Sequence, residues 1–506
     1  MFTSIAIVIT IVLLWLLKSL LHSKLRHIPG PKGNILVGNA LQLDKDRLYI
    51  QLQEWGETYG NVFKVQLFRD EIVVVSAYDE IKEVLIDKSN DFAGRRNGYT
   101  MEYMYGPVGE DKAGAPQDVS FQDYSAEYVT CKKFTHQALK QYGDGMDKIV
   151  SLAMDEIQNC VTDFLSHGGN PFDPKESVYR CTLNIMIGLI LGKKVEHDSF
   201  DFKEVYKILN IGQEMNECGD SLALDIFPWL RFCGNRTYKA LQNFKRNKDA
   251  LLVSWIQQSE ISLQSGERSN GACETLVQYL REGKLSYGNV HGIVSDILFA
   301  GVSTTSTTLT AFFLVLINKP AVQEKIQEEI DRVIGGERLP TLKDRSNMPY
   351  TCAAILEALR YTTTLALSLP HRTVRDTSVG GFSVPNDTTV WVNLWAMHHD
   401  DRYFEDPYTY RVERFLGEDG DLLPPNERKS FLPFGVGRRV CLGETLARAR
   451  LFLFVASLLQ KVDILPENET NIPDPDPAKF NYAMVNIPTP FNIVVKQRKL
   501  WNGGAK

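Results

Sequence analysis

One ten-residue stretch constrains this chain more than any other: Phe434-Gly435-Val436-Gly437-Arg438-Arg439-Val440-Cys441-Leu442-Gly443. A single thiol sits in a glycine-rich loop, two residues after an arginine and directly before a helical pattern. A thiolate there can ligate a metal. Its pKa, about 8.5 when free, falls on coordination and beside the backbone N–H groups that open the next helix. Gly437 and Gly443 suit a tight turn and a close approach to a flat cofactor. Arg439 offers a guanidinium fork to a carboxylate. A buried structural cysteine beside a surface turn would explain Cys-x-Gly alone, but it explains the full pattern poorly.

The rest of the composition narrows the class. The chain has 506 residues, 44% hydrophobic and 23% charged, with a formal net charge of -6. That is ordinary globular usage. It lacks the basic excess of a nucleic-acid binder, so no nucleic-acid partner is expected. The eight cysteines form no CxxC and no zinc-type spacing. Their scatter fits a reducing compartment, with most thiols acting as small buried apolar groups. Sequons at Asn235, Asn386 and Asn468 are expected to stay unmodified.

Residues 2–17 are apolar apart from Thr3, Ser4 and Thr10, and Leu20 and Leu21 extend the run past Lys18. About 20 residues span a bilayer core. Lys18, His22, Lys24, Arg26 and His27 follow, with no acid before Asp44. Basic residues on that flank hold it in the cytosol. A cleaved signal peptide fits less well, because no basic residue precedes the run and no clean small-x-small site follows it. The expectation is an uncleaved single-pass transmembrane anchor with its basic flank over 1–26. A proline-rich linker over 27–44 follows, stiffened by Pro29-Gly30-Pro31, and then one large domain over 45–506.

That domain reads as mainly α with a small β-rich region. Residues 62–67 and 71–76 are strand patterns forming a hairpin, and 77–85 reads as helix. Helical patterns dominate from about 127 to 332, and a second strand-rich patch covers 377–393. The last helix is expected from about Leu442 to Lys461, and 487–495 is extended. The longest helical pattern runs from Tyr287 to Asn318, with Ser286 as N-cap and Lys319-Pro320 as its stop. It is apolar nearly all round and therefore buried. At its middle, Ala300-Gly301 precede Val302, Ser303 and Thr304. A mid-helix glycine costs about 1 kcal/mol against alanine, so Gly301 suggests room needed beside the backbone. Close packing of a threonine-rich core helix would also account for it.

Glu357 and Arg360 stand at i, i+3 on one helix face, and Arg414 downstream offers a third charge. Taken with the cysteine loop, these residues resemble the cytochrome P-450 superfamily over essentially the whole chain. Phe434, Gly437, Arg439, Cys441 and Gly443 match its Phe-x-x-Gly-x-Arg-x-Cys-x-Gly signature. Glu357 and Arg360 match its Glu-x-x-Arg, and Ala300-Gly301 with Thr304 match its oxygen-binding helix. Phe92-Ala93-Gly94-Arg95 and residues 393–400 look like the animal branch of drug-metabolising enzymes and steroid 17- and 21-hydroxylases.

The resemblance implies a cytochrome P-450 fold with an N-terminal transmembrane helix and haem b (iron protoporphyrin IX) as cofactor. Cys441 would be the axial ligand. Arg439 and His371 would hold propionates, and Arg414 would close a Glu357–Arg360 brace. Thr304 would steady dioxygen and its proton-delivering water. It implies an endoplasmic-reticulum enzyme, catalytic domain in the cytosol, that inserts one oxygen atom into a steroid, fatty acid or xenobiotic. Electrons would come from NADPH–cytochrome P-450 reductase, with cytochrome b5 a second candidate donor. Residues 97–124, 210–229, 298–305, 362–369 and 482–485 would line a lipophilic pocket.

Three positions depart from the family pattern. Ser303 stands where an acid usually precedes Thr304, and a hydroxyl supplies no fixed negative charge. The family's Trp-x-x-x-Arg appears as Tyr128 to Lys132, keeping a cation but losing bidentate geometry. Val412 replaces a proline. The Ser303 change leaves open a reductase-independent isomerase or dehydratase of peroxidised lipids. A non-enzymatic haem- or lipid-binding membrane protein is the third reading, opposed by the retained Cys441 loop and Thr304.

Overall fold

The computed structural model describes residues 24–499 apart from 69, 111, 141–145 and 218–220. The expected membrane anchor lies almost wholly outside the described residues. The described residues form two compact units: those within 1–96, 365–407 and 432–440 make unit 1, and those within 97–364, 408–431 and 441–506 make unit 2. Each unit is assembled from three separated stretches of sequence.

Unit 1 is built on a sheet. Helix α1 (Leu48–Tyr59) precedes β1 (Val62–Leu67) and β2 (Asp70–Val75), an antiparallel hairpin with Val62 opposite Val75. Strands β3 (His371–Arg372), β4 (Thr377–Val379), β5 (Phe382–Val384) and β6 (Thr389–Val392) follow. The sheet order is β1-β2-β6-β3, with β6 parallel to β2, while β4 and β5 form a separate hairpin turned by Gly380 and Gly381, both at positive φ. Val73, Val75, Val390 and Val392 are fully buried, as β-branched residues on a covered sheet should be. Residues from the basic flank and the start of the expected linker pack here. Leu25 and Ile28 are buried in this core, and the Pro29 carbonyl accepts from Lys64 N at 2.8 Å.

Unit 2 is helical. Its principal helices are α2 (Ala126–Lys140), α3 (Met146–Ser166), α4 (Pro174–Leu191), α5 (Arg236–Ser265), α6 (Tyr287–Asn318), α7 (Pro349–Thr362) and α8 (Glu444–Lys461). Helix α6 has the predicted bounds. The Ser286 side chain accepts from Asn289 N at 3.1 Å while Asn289 Oδ1 accepts from Ser286 N at 3.1 Å, a reciprocal cap. Ile187 and Ile190 on α4, Leu252 and Trp255 on α5, and Val290, Val294 and Val302 on α6 form one core. This burial makes α6 a core helix although its length and hydropathy would suit a membrane. Strands β7 (Val462–Pro466), β8 (Asn481–Tyr482), β9 (Asn486–Ile487) and β10 (Ile493–Gln497) pair as β7 with β10 and β8 with β9.

Candidate functional site

Unit 1 gathers three nitrogen-rich side chains from separate segments: Arg95, His371 in β3, and Arg439 in a turn over 437–439. Arg95 Nη1 donates to the Leu369 and Pro370 carbonyls at 3.1 and 3.0 Å. Arg439 Nε donates to the Ala93 carbonyl at 2.8 Å. His371 Nδ1 lies 2.8 Å from the Phe92 carbonyl. A carbonyl only accepts, so Nδ1 carries the proton in this contact. Burial first, then the Arg95 and Arg439 charges, pull the His371 pKa down to about 3 against that carbonyl. The ring is therefore neutral, and the cluster around it is cationic. Two antiparallel bonds, Gly94 N to Arg372 O at 3.0 Å and Arg372 N to Gly94 O at 2.9 Å, hold the segments together. Such a group suits carboxylates.

Phe434, Gly437 and Arg439 belong to unit 1, and Cys441 and Gly443 to unit 2. Gly437 has φ +77°, and a Cβ there would sit 1.8 Å from the Leu85 carbonyl. The close approach that requires this glycine is thus to protein backbone. Phe434 is half-buried.

In unit 2, Cys441 precedes α8. Its residue is exposed. Surrounding protein still raises the thiol pKa, opposed by the N–H groups of Gly443 and Glu444. The helix start is therefore aimed at the sulfur, as the loop pattern suggested. Across the same unit, α6 is buried along nearly its whole length, yet Ala300 at its middle is exposed. An exposed alanine there marks open space beside the helix. Thr304 lies one turn on, half-buried, donating to the Ala300 carbonyl at 2.8 Å. Ser303 donates to the Phe299 carbonyl at 3.1 Å. Both hydroxyls are back-bonded to the helix and keep their lone pairs for other partners. Gly301 behaves differently from the expectation of free room. A Cβ would meet Met186 Cε at 2.5 Å, so the space is filled by protein and the close-packing account holds at this residue.

Glu357 gathers both Arg360 and Arg414 in unit 2. Glu357 Oε2 and Oε1 accept from Arg360 Nε and Nη2 at 2.7 and 2.8 Å, and Arg414 Nε reaches Oε1 at 3.3 Å. Arg411 N adds a bond at 2.9 Å. Glu357 and Arg360 are fully buried. On α2, Tyr128 is buried and Lys132 is half-buried.

Sequence reasoning missed three groups. Arg95 was read only as part of a branch-like stretch. Arg450 on α8 is buried and binds α6. Asp296, two turns before Thr304, accepts from Val119 N and Ser120 N at 2.7 and 3.1 Å. Burial raises the Asp296 pKa to about 6 against those bonds. Burial, then Asp296, raise that of Asp118 well above the carboxylate range. Only the presence of an acid, Asp296, in a helix apolar nearly all round could have signalled this.

Comparison with known proteins adds a family. The cytochrome P-450 family model matches residues 28–495. A steroid 17-alpha-hydroxylase/17,20 lyase of Squalus acanthias is 32% identical over 92% of this chain and 91% of its own length. Cytochrome P-450 2F2 of Rattus norvegicus is 31% identical over 93% and 94%. Cytochrome P-450 1A1 of Limanda limanda is 29% identical over 87% and 86%.

Proposed function

Because this chain belongs to the cytochrome P-450 family of haem-binding oxidoreductases, we propose that it inserts one oxygen atom from O2 into a lipophilic molecule with electrons from NADPH. The reading rests on one observation above others. In unit 2 an accessible thiol just before α8 accompanies an open face at Ala300–Thr304 in a helix that is mostly buried.

The residues fit haem b. Cys441 supplies the thiolate, and the N–H groups of Gly443 and Glu444 temper its charge. Arg439 and Arg95 supply donors for propionates, with Lys132 a further cation, while the neutral His371 lines the same cluster with its Nδ1 proton given to the Phe92 carbonyl and only an acceptor left at Nε2. Phe434, Gly437 and Gly443 shape the loop. The exposed Ala300 leaves a flat group room that a larger side chain would take, and Gly301 keeps α6 close to Met186. When bound, the haem provides the iron at which O2 is activated, and thiolate ligation favours O–O cleavage. Thr304, with its proton committed to the Ala300 carbonyl, holds a lone pair toward the open face and orders water there. Ser303 relays protons by exchanging its bond to Phe299, and it contributes no charge. The Glu357–Arg360–Arg414 brace keeps unit 2 rigid around α7.

Residues 97–124, 210–229, 298–305, 362–369 and 482–485 are the proposed substrate lining. Steroids and xenobiotics are the first classes to try, given the steroid hydroxylase among the relatives. The proposed setting is the endoplasmic reticulum membrane, with residues 1–26 as anchor, the catalytic body in the cytosol, and NADPH–cytochrome P-450 reductase and cytochrome b5 as donors. Ser303 favours a second reading, a reductase-independent rearrangement of a peroxidised lipid, since that chemistry needs no acid for O2 activation.

A carbon monoxide difference spectrum of the reduced protein tests the core claim. A thiolate-type Soret band, lost in Cys441→Ala, is expected. Failure of the wild type to bind haem overturns the reading. Turnover of a steroid, fatty-acid and xenobiotic panel only with NADPH and reductase separates the first reading from the second.

A further inference from the structure

A loop over 97–122 in unit 2 is pinned from outside by charged side chains. The loop is closed on itself. Asn97 Nδ2 donates to the Phe121 carbonyl at 2.8 Å, Gly114 N to the Glu102 carbonyl at 3.1 Å and Gln117 N to the Tyr105 carbonyl at 3.3 Å. Within it stands one short helix, Tyr99–Tyr105. Its 7 residues are too few to hold a helix in water unaided, and other elements meet both of its ends.

At the start of that helix, Asp225 Oδ1 accepts from Thr100 N and from Thr100 Oγ1, each at 2.7 Å. Asp225 comes from the helix Ser221–Ile226. It lies so close to Gly98 that a Cβ there would sit 2.3 Å from its carboxyl carbon. At the other end, Lys248 Nζ donates to the Met104 carbonyl at 2.7 Å and Lys245 Nζ to the Pro107 carbonyl at 2.9 Å. Both lysines lie on α5, 1% and 3% exposed. They share the Asp249 carboxylate, at 3.2 Å from Lys248 Nζ and 3.1 Å from Lys245 Nζ. His291 beside it adds no charge, because burial and then Lys248 pull its pKa down to about 3. The second positive charge is met by the carbonyls at the helix end, where the peptide dipoles are negative. An acid at the start and cations at the end are what a helix dipole favours, and here other parts of the chain supply both.

The same loop reaches α6. The Tyr105 and Phe121 rings pack with centroids 4.7 Å apart. Beside Phe121, Val119 N and Ser120 N donate to Asp296. Asp296 heads the accessible positions in the middle of α6, which include Phe299, Ala300, Ser303 and Thr304. Their spacing puts them on one face. The loop therefore meets the open face at its far end, about 12 Å along the helix from Thr304.

We propose that Asp225, Lys245 and Lys248 are positioning residues that fix the loop 97–122 as one wall of the substrate site, and so set how closely that site fits a ligand standing over Ala300 and Thr304. This rests on the reading of the open face as the substrate side of a bound haem. The tie through Asp225 makes the place of the wall depend on residues 221–226, inside a second stretch of the proposed lining.

The test uses the full-length holoprotein and two azoles that bind haem iron, imidazole and 4-(biphenyl-4-yl)imidazole, each titrated by the Soret shift. The wild type must first give the thiolate-type carbon monoxide spectrum, and failure there overturns the haem reading and this proposal with it. Given that signature, Asp225→Ala and Lys248→Met are expected to weaken the biphenyl azole about tenfold, because a preorganised wall is lost. Imidazole is too short to reach the wall and should stay within about twofold. Asp225→Asn keeps an acceptor oxygen in place and should stay within about threefold on both. Amide hydrogen exchange over 99–105 should quicken in the Ala and Met variants and not in Asn. Thr100→Val cuts the same tie from the loop side, leaves α5 intact and serves if Lys248→Met does not fold. Ala and Met variants that bind the biphenyl azole as wild type overturn the proposal. So do an equal loss for both azoles and an Asn variant as damaged as Ala.

Discussion

Removing the Glu357 carboxylate strands two buried guanidinium groups in unit 2. In Glu357→Ala the fully buried Arg360 and the 4% exposed Arg414 lose their common acceptor. Arg411 N loses its bond as well. Breaking a buried pair by deleting one partner costs about 3–5 kcal/mol, and an orphaned N–H adds about 1–3 kcal/mol. The expected loss is thus about 4–8 kcal/mol, against a total stability on the order of 5–15 kcal/mol. Urea unfolding of the holoprotein followed by circular dichroism reads it as a fall in midpoint at unchanged slope. Glu357→Gln keeps one acceptor oxygen and should fall between. Lys325→Ala is the control. It removes a pair to Glu413 in which both side chains are 54% exposed, and it should cost no more than about 1 kcal/mol. A Glu357→Ala loss under about 1 kcal/mol, or one equal to the control, would refute the brace.

Thr304→Ala should keep consuming NADPH while product per NADPH falls, roughly a hundredfold as for a lost proton-transfer group; unchanged coupling would remove Thr304 from the mechanism. Ser303→Asp should raise product per NADPH, measured against peroxide released in the same assay. Arg439→Lys keeps the charge but loses the fork, and haem loss to an acceptor globin should quicken about tenfold. The Asp118–Asp296 pair binds protons more readily folded than unfolded. Its stabilisation is therefore complete below about pH 4 and is lost as pH rises through about 6. Asp118→Asn should accordingly gain melting temperature relative to wild type between pH 4.5 and 7, and a pH-independent difference would contradict the raised carboxyl pKa values.

What could be read in advance was what lies close in sequence. The bounds of α6 follow from Ser286 and Pro320 because caps and stops act within one turn. The Cys441 loop is legible because its glycines, arginine and thiol are contiguous. Glu357 and Arg360 announced a pair by their spacing, whereas Arg414, more than fifty positions on, was placed with them only by the family resemblance. Arg450 was illegible for a physical reason. An arginine in an apolar helix ordinarily carries its charge to water, and nothing local shows that this one ends at Gly301 and Thr305. Asp118 and Asp296 meet across 178 positions. Gly301 was half legible, since its need for space was visible but not that Met186 would fill it.

The clamp at Pro29 has a consequence for how the protein survives its own concentration. Strand β1 is the border of its sheet. Residues 29–39 run beside it, with Lys64 N bonded to Pro29, Asn39 N to Gln66 and Phe68 N to Val37. A bare border would invite a strand from a neighbouring molecule. The segment that closes it contains two prolines, which carry no N–H and so template nothing further. Trimming the chain beyond Pro31 would therefore uncover an adhesive margin, whereas a cut before Leu25 would leave the guard in place.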